Sequence, residues 1–152
     1  MVIDIAAYED AIVAKIATDN PVLNAFPLAR VSDLRDASLR KPAVGVIFIE
    51  DDFDDPTLIG PSTYQEGKLS WYLYPVAESL RGPIGGRRGA LGAYDIAMMV
   101  LGSMCPTLSV RWGVVPGCPM RYKGKRLFDL ASDPALAIYE MRFEHDFVYT
   151  EV

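Results

Sequence analysis

Few side chains in this sequence have the chemistry of a catalytic centre. The one histidine, His145, lies on the apolar face of a predicted strand, and Cys105 and Cys118 are thirteen residues apart. A nucleophilic site needs a base beside the nucleophile, and a zinc site needs further Cys or His ligands. We interpret His145 as a core histidine hydrogen-bonded to the backbone, and both cysteines as reduced and buried. The sequence therefore predicts no enzyme, no resident metal and no cofactor.

An acidic run after a predicted strand is the best candidate for a cation site. Its five carboxylates are Glu50, Asp51, Asp52, Asp54 and Asp55. Carboxylates at this density repel one another unless they are solvated or hold a hard cation. An EF-hand is excluded, because a loop beginning at Glu50 has Asp55 in place of the turn glycine. We favour a solvated loop that ends the strand, and cation binding stays open.

Asp55, Glu66 and Lys68 form the arrangement closest to a known enzyme. The segment Glu66-Gly67-Lys68 precedes a predicted strand and, with Asp55, resembles the carboxylate plus Glu-x-Lys motif of restriction-type nucleases. That resemblance implies two acids that hold Mg²⁺ and a lysine that helps to activate water. The sequence departs from the family pattern in reading Asp55-Pro56, and residues 66–68 have the character of a polar turn. A Mg²⁺-dependent nuclease is kept as the alternative function.

A basic, glycine-rich loop spans Arg81–Gly89 and contains Arg87 and Arg88. Glycines let backbone N–H groups approach an anion, and the loop leads into a predicted helix, so a phosphate-binding module is a third possibility. The segment is neither a Walker A motif nor a dinucleotide fingerprint. Arginines separated by glycines also suit recognition of carboxylates on another protein, and this is the interpretation we favour.

Composition indicates a folded globular chain. Of the 152 residues, 51% are hydrophobic, enough for one sizeable core, and we predict a single domain over residues 1–152. The longest apolar candidate for a membrane span, Ile96–Leu101, is only six residues long, and the N-terminus lacks the pattern of a secretory signal. We therefore expect synthesis in the cytoplasm and no membrane partner.

Charge is strongly segregated along the chain. Residues 1–80 carry a net charge of −7, residues 81–128 carry +7 and residues 129–152 carry −5, for a total of −5. Such segregation favours a molecule that presents a basic surface to an acidic one, either a nucleic acid or a second copy of itself.

Hydrophobic periodicity predicts the elements that position these side chains. Helices are expected over about residues 5–19, with Asp4 as cap, and over about residues 90–104. Strands are expected over Ala43–Ile49 and Leu69–Val76, the latter ending at an edge or bulge because of Pro75. Weaker strands are expected at residues 112–115 and 120–128, with a turn at residues 123–125. The apolar stripe predicted for the second helix consists of Leu91, Tyr94, Met98 and Leu101.

The C-terminal segment from about Leu136 has the clearest pattern. From Tyr139 onward, apolar residues and His145 occupy odd positions while charged residues occupy even positions as far as Asp146. This predicts a long strand with one buried face and one wet, charged face. Two helices packed on one face of a mixed, largely antiparallel sheet would bury all of the apolar stripes, so the predicted fold class is α+β.

The order and character of these elements resemble the Mu-like phage tail terminator family. The residues that carry the resemblance are the first helix, the strand Leu69–Tyr74, the loop Arg81–Gly92 leading into Tyr94-Asp95-Ile96, and the closing strand Ile138–Phe143. The resemblance implies a structural virion protein that forms a hexameric ring at the head-proximal end of a phage tail. Such a ring stops polymerisation of the tail tube, and of the sheath in contractile tails, and offers the surface for joining the head. The family has no catalytic residues to carry over.

The implied partners are other copies of the chain, the tail tube and sheath proteins, and the head-tail connector protein, with DNA only passing through the lumen. A closed ring needs heterologous contacts, in which one patch of a subunit meets a different patch of the next. We expect Arg81, Arg87 and Arg88 to contact acidic groups of a neighbour. The other interface candidates are Asp52, Asp54, Glu140, Arg142 and Glu144.

Overall fold

The computed structural model describes residues 5–35, 39–78, 92–105, 120–128 and 136–151. In chain order the elements are α1 (Ile5–Asp19), β1 (Asn24–Pro27), a 3₁₀ helix (Val31–Arg35), β2 (Ala43–Phe53), β3 (Thr57–Ile59), β4 (Ser62–Glu78), α2 (Ala93–Met104), β5 (Arg121–Leu127) and β6 (Leu136–Glu151). The predicted α+β class and the long C-terminal strand are confirmed. None of the helices in these ranges is long and apolar enough to cross a bilayer.

The strands form one sheet in the order β1-β2-β4-β6-β5, with β3 pairing to the far end of β4. Only β1 and β2 run parallel; the other pairs are antiparallel. The two longest strands, β4 and β6, lie side by side at the centre of the sheet. Their pairing is broken only beside Pro75, which has no N–H to donate.

Both helices pack on the same face of the sheet. In α1 the residues Tyr8, Ile12 and Ile16 recur at helical spacing and are buried against the sheet. The end of α1 is tied to α2 by the Asn20 side chain, whose Nδ2 donates to Ser103 Oγ at 2.8 Å. This face carries the larger of two apolar cores, which includes the fully buried Trp71.

The opposite face of the sheet is covered at one end only. Leu28 and Leu34 pack there against Tyr74, Val76 and Ile138. The rest of this face, which we call the open face, has no helix packed on it among the described residues. It is lined by charged side chains of β2, β5 and β6.

Several expectations about element boundaries are wrong. The acidic run does not end β2, because Glu50, Asp51 and Asp52 continue the strand to Phe53. Residues 66–68 are not a turn but part of β4, and Pro75 lies in a central strand rather than at an edge. The predicted turn at residues 123–125 is a bulge within β5, where Gly124 has a positive φ of 119°.

The predicted face of α2 is also wrong. Tyr94 and Met98 are 41% and 60% exposed, whereas Ile96 and Val100 are fully buried. Both sets follow helical spacing, and packing against β4 and β6 selects the second. The predicted cap Asp4, the start of the predicted second helix at residues 90–91 and the predicted strand at residues 112–115 lie outside the described residues.

Candidate interaction surface

Strand β6 places three carboxylates along the open face. Together with Arg142, they occupy every second position from residue 140 to residue 146. Glu140, Glu144 and Asp146 point to this face because successive side chains of a strand alternate. The sequence predicts that all of them are wet. Instead Glu140 is only 5% exposed and Glu144 only 8%. Buried carboxylates need partners, and the neighbouring strands supply them.

Glu140 is held from both sides. Tyr74 on β4 donates its hydroxyl to Glu140 Oε2 at 2.8 Å, and Arg126 on β5 donates its Nε–H to Oε1 at 2.7 Å. Burial and the adjacent carboxylate raise the pKa of Tyr74 above its usual value. Both carboxylate oxygens of Glu140 are therefore engaged by contacts within its own chain.

Glu144 and Asp146 share the guanidinium of Arg121. Its Nη1 and Nη2 lie 2.8 and 2.9 Å from the two Asp146 oxygens, and its Nε and Nη2 both lie 3.3 Å from Glu144 Oε1. Lys123 Nζ adds a longer contact of 3.6 Å to Glu144. The hydrogen bonds from Arg121 hold the pKa of Asp146 below its usual value.

Arg142 completes this set by reaching across β4 to β2. Its Nη2 lies 3.1 Å from Glu50 Oε1, between strands that do not pair directly. Seven charged side chains of β5 and β6 thus have an ionic partner on another strand: Arg121, Lys123, Arg126, Glu140, Arg142, Glu144 and Asp146. Of the interface residues predicted from sequence, Glu140, Arg142 and Glu144 all make contacts within the chain. This arrangement stabilises the sheet and leaves little of the Glu140 and Glu144 carboxylates for a neighbour.

His145 lies on the helix-bearing face and belongs to the core. It is buried, and its Nε2 accepts the indole N–H of Trp71 at 3.1 Å, with the Tyr8 ring 4.9 Å away. The sequence predicts the backbone as its hydrogen-bond partner, and for Nε2 the structure gives a side-chain donor. Burial lowers the pKa of His145, so the ring is neutral at pH 7.

The outer edge of β2 forms an acidic strip. Beyond Val46, where β1 ends, no described strand pairs with the outer side of β2. The segment Ile47–Phe53 contains three of the acidic residues, and Asp54 and Asp55 follow it in exposed positions. Glu50 is the one member of this group with an ion pair among the described residues. We call residues 47–55 the acidic edge; it includes the predicted interface residues Asp52 and Asp54.

Strand β5 forms the other edge of the sheet and is basic. It pairs with β6 on one side, and within the described ranges no strand pairs with it on the other. Four of its seven residues are cationic: Arg121, Lys123, Lys125 and Arg126. Arg126 is 71% exposed in its side chain even though it bonds to Glu140. We call this strand the basic edge.

A cleft of about 380 Å³ lies where β2, β4 and β6 meet near the end of the acidic edge. It is lined by Asp52, Asp54, Glu66, Gly67, Lys68, Asp146 and Phe147. Two members of the nuclease-like arrangement, Glu66 and Lys68, are therefore together, but Asp54 rather than Asp55 lines the cleft. Across the described residues, no group of three or more His, Cys, Asp or Glu side chains is placed to hold a metal ion.

The loop arginines Arg81, Arg87 and Arg88 lie outside the described residues, as does Cys118. Cys105 is a free thiol that is partly exposed rather than buried, with its sulfur 3.2 Å from the Met120 carbonyl oxygen. Sequence reasoning missed Tyr74, Arg121 and Arg126 as partners of the β6 carboxylates. The signal that could have found them is register: pairing β4 and β5 with β6 brings these residues opposite or next to the carboxylates.

No family model matches the chain, and no curated protein matches it.

Proposed function

We propose that this protein is a structural component of a phage virion that caps the head-proximal end of the tail as a ring of identical copies. The ring ends polymerisation of the tail tube, and of the sheath if the tail contracts, and presents the surface that joins the head. The protein does this by contacts alone, as the resemblance to Mu-like tail terminators implies.

The observation that supports this proposal most is the placement of charge on the sheet. The acidic edge and the basic edge lie on opposite sides of one sheet. A ring closed by rotation requires two different, complementary patches on each subunit. Charge complementarity of this kind selects the partner and its register, while apolar contacts supply most of the affinity.

Exposed apolar side chains that could supply such contacts lie beyond the charged edges. Leu58 and Ile59, in the β3–β4 hairpin, are 76% and 62% exposed. The hairpin extends past the point where β2 ends, so these side chains project from the sheet. They are available to a neighbouring copy or to a tail protein.

Electron microscopy of purified tails that lack their terminator tests this function. After mixing with the protein, we expect a ring of density on the end that meets the capsid and no further growth of the tube. Tails whose ends stay bare at saturating protein concentration would contradict the proposal.

The cleft at the end of the acidic edge favours one second candidate, a Mg²⁺-dependent nuclease. Glu66 and Lys68 of the nuclease-like arrangement lie together there, with Asp52 and Asp54 in the lining instead of Asp55. Among the described residues no three acidic side chains are placed to hold a metal ion, so a Mg²⁺ site would need these carboxylates to move closer together. The test is cleavage of duplex DNA with and without Mg²⁺. This candidate predicts cleavage by the wild type that Lys68→Ala abolishes and Lys125→Ala, outside the cleft, leaves unchanged. A wild type that does not cleave would exclude it.

A further inference from the structure

Two unpaired edges of similar length flank the sheet. The outer side of Ile47–Phe53 and the outer side of β5 each offer seven residues, and neither has a partner strand among the described residues. Unpaired edges present backbone N–H and C=O groups that can bond to another strand. Monomeric proteins usually blunt such edges with charge or a bulge, and both are present here: a bulge follows Phe48 in β2 and another follows Tyr122 in β5.

The backbone groups that point outward can be identified from neighbouring hydrogen bonds. Asp54 N–H donates to the Glu66 carbonyl inside the sheet, so alternation directs the backbone groups of Asp51 outward. Phe128 N–H donates to the Ile138 carbonyl in the same way, so those of Lys125 also point outward. Each edge therefore has donors and acceptors aimed at the position of an added strand.

The signs of the charges distinguish a protective role from an associative one. If charge served only to keep the edges apart from every partner, the same sign on both would suffice. Here Ile47–Phe53 contains three acids and no base, whereas β5 contains four bases and no acid. Of these charges, those of Asp51, Asp52 and Lys125 have no ion pair among the described residues. Two copies are repelled when like edges meet and attracted when unlike edges meet, which disfavours a two-fold dimer and favours head-to-tail contact.

Strand direction fits the same contact. Three antiparallel steps lead from β2 through β4 and β6 to β5, so β2 and β5 run in opposite directions within one subunit. In a ring whose axis follows the strands, all copies share one orientation. The β5 strand of one copy then meets β2 of the next in antiparallel fashion, which is the more stable pairing.

We propose that the basic edge of one copy adds to the acidic edge of the next, so that the sheet continues from subunit to subunit around the ring. This inference rests on the proposed function for the existence of a ring, and it assigns the surface by which copies join. It places Asp51 beside Lys125 of the neighbour, because both side chains project to the helix-bearing face, opposite Leu69 and Met141 respectively.

Disulfide trapping tests the pairing directly. Asp51→Cys is combined with Lys125→Cys in a background in which Cys105 and Cys118 are replaced by serine, and the protein is oxidised alone and on purified tails. Opposed strands bring Cα atoms to about 5.5 Å, which a disulfide can span. Replacing Lys125→Cys by Leu127→Cys, two residues along the same face, covers a shift in register.

We expect a ladder of cross-linked species extending to six copies with one of these pairs. The matched control pairs Asp52→Cys with Lys125→Cys. Asp52 is exposed, differs from Asp51 by one position and points to the open face, so we expect no ladder from this pair. The single variant Asp51→Cys should give no dimer. Equal ladders from test and control, dimers from the single variant, or no ladder from either test pair in either sample would overturn the proposal. Capped tails without a ladder would contradict only the edge pairing and support the terminator function. A ladder on tails that stay uncapped would contradict only the terminator function and support the edge pairing.

Discussion

Replacing Tyr74 by phenylalanine isolates the contribution of one hydrogen bond to a buried carboxylate. Tyr74 is 2% exposed and its hydroxyl lies 2.8 Å from Glu140 Oε2. Phenylalanine keeps the ring in place and removes only the donor, so Glu140 stays buried with Arg126 as its remaining charged partner. A hydrogen bond to a charged group contributes about 1.5–3 kcal/mol. We expect Tyr74→Phe to lower the free energy of unfolding by that amount.

Thermal and urea denaturation followed by circular dichroism measure this loss. For a chain of this length, about 1 kcal/mol corresponds to roughly 2–4 °C in Tm, so a decrease of about 3–12 °C is expected. Tyr72→Phe is the matched control, because Tyr72 lies on the same face of β4 but its hydroxyl makes no hydrogen bond to the described residues. It should change stability by less than about 0.5 kcal/mol.

A double-mutant cycle shows whether the effect passes through Glu140. In a Glu140→Gln background the carboxylate charge is gone, and the hydroxyl then bonds to a neutral amide, which contributes only about 0.5–1.5 kcal/mol. Tyr74→Phe should therefore be less costly there than in the wild type. Equal costs in the two backgrounds, or equal costs for Tyr74→Phe and Tyr72→Phe, would refute the assignment of Glu140 to the interior of the subunit.

Three further predictions concern the same sheet. Arg121→Ala should lower the free energy of unfolding by about 1–3 kcal/mol, because the buried Glu144 loses the guanidinium that pairs with it. Asp146→Asn should lower it by only about 0–1 kcal/mol, because that carboxylate is largely exposed; urea denaturation compares the two variants. Burial lowers the pKa of His145, so the unfolded chain binds a proton more readily than the folded one, and the free energy of unfolding should fall as pH drops below about 6.5. His145→Gln can still accept the indole N–H of Trp71 and should make the free energy of unfolding less dependent on pH between 7 and 5. Gly67→Ala should lower the free energy of unfolding by about 1–3 kcal/mol, because its Cβ would lie 2.4 Å from the Phe53 ring. In a Phe53→Leu background the same change should cost less, and an equal cost in both backgrounds would contradict the clash with Phe53.

Elements with a strong local pattern could be predicted from the sequence. The stripe Tyr8, Ile12 and Ile16 specifies one face of α1, and the long alternation after Tyr139 specifies β6. In α2 the sequence offers two apolar sets at helical spacing, and local pattern gives no reason to choose between Met98 and Val100. Contacts with the sheet decide which set is buried.

The continuation of strands through charged residues could not be predicted in this way. Glu50, Asp51 and Asp52 look like the end of a strand. They lie instead at an open edge of the sheet, where water solvates their carboxylates, so continuing the strand buries no charge. The burial of Glu140 could not be predicted from the sequence for another reason. Its partners lie 14 and 66 residues away along the chain, and only the register of three strands brings them together.

A charge exchange tests most directly whether opposite edges join the copies. Within one subunit Asp51 and Lys125 are separated by three strand spacings, about 14 Å, with β4 and β6 between them, so their charges meet only across a subunit contact. The measurement is the fraction of purified tails capped, scored by electron microscopy, for Asp51→Lys, for Lys125→Asp and for the variant with both changes. We predict that each single change reduces capping and that the double variant restores it. Capping that is unaffected by either single change, or that is no better in the double variant than in the singles, would contradict the account.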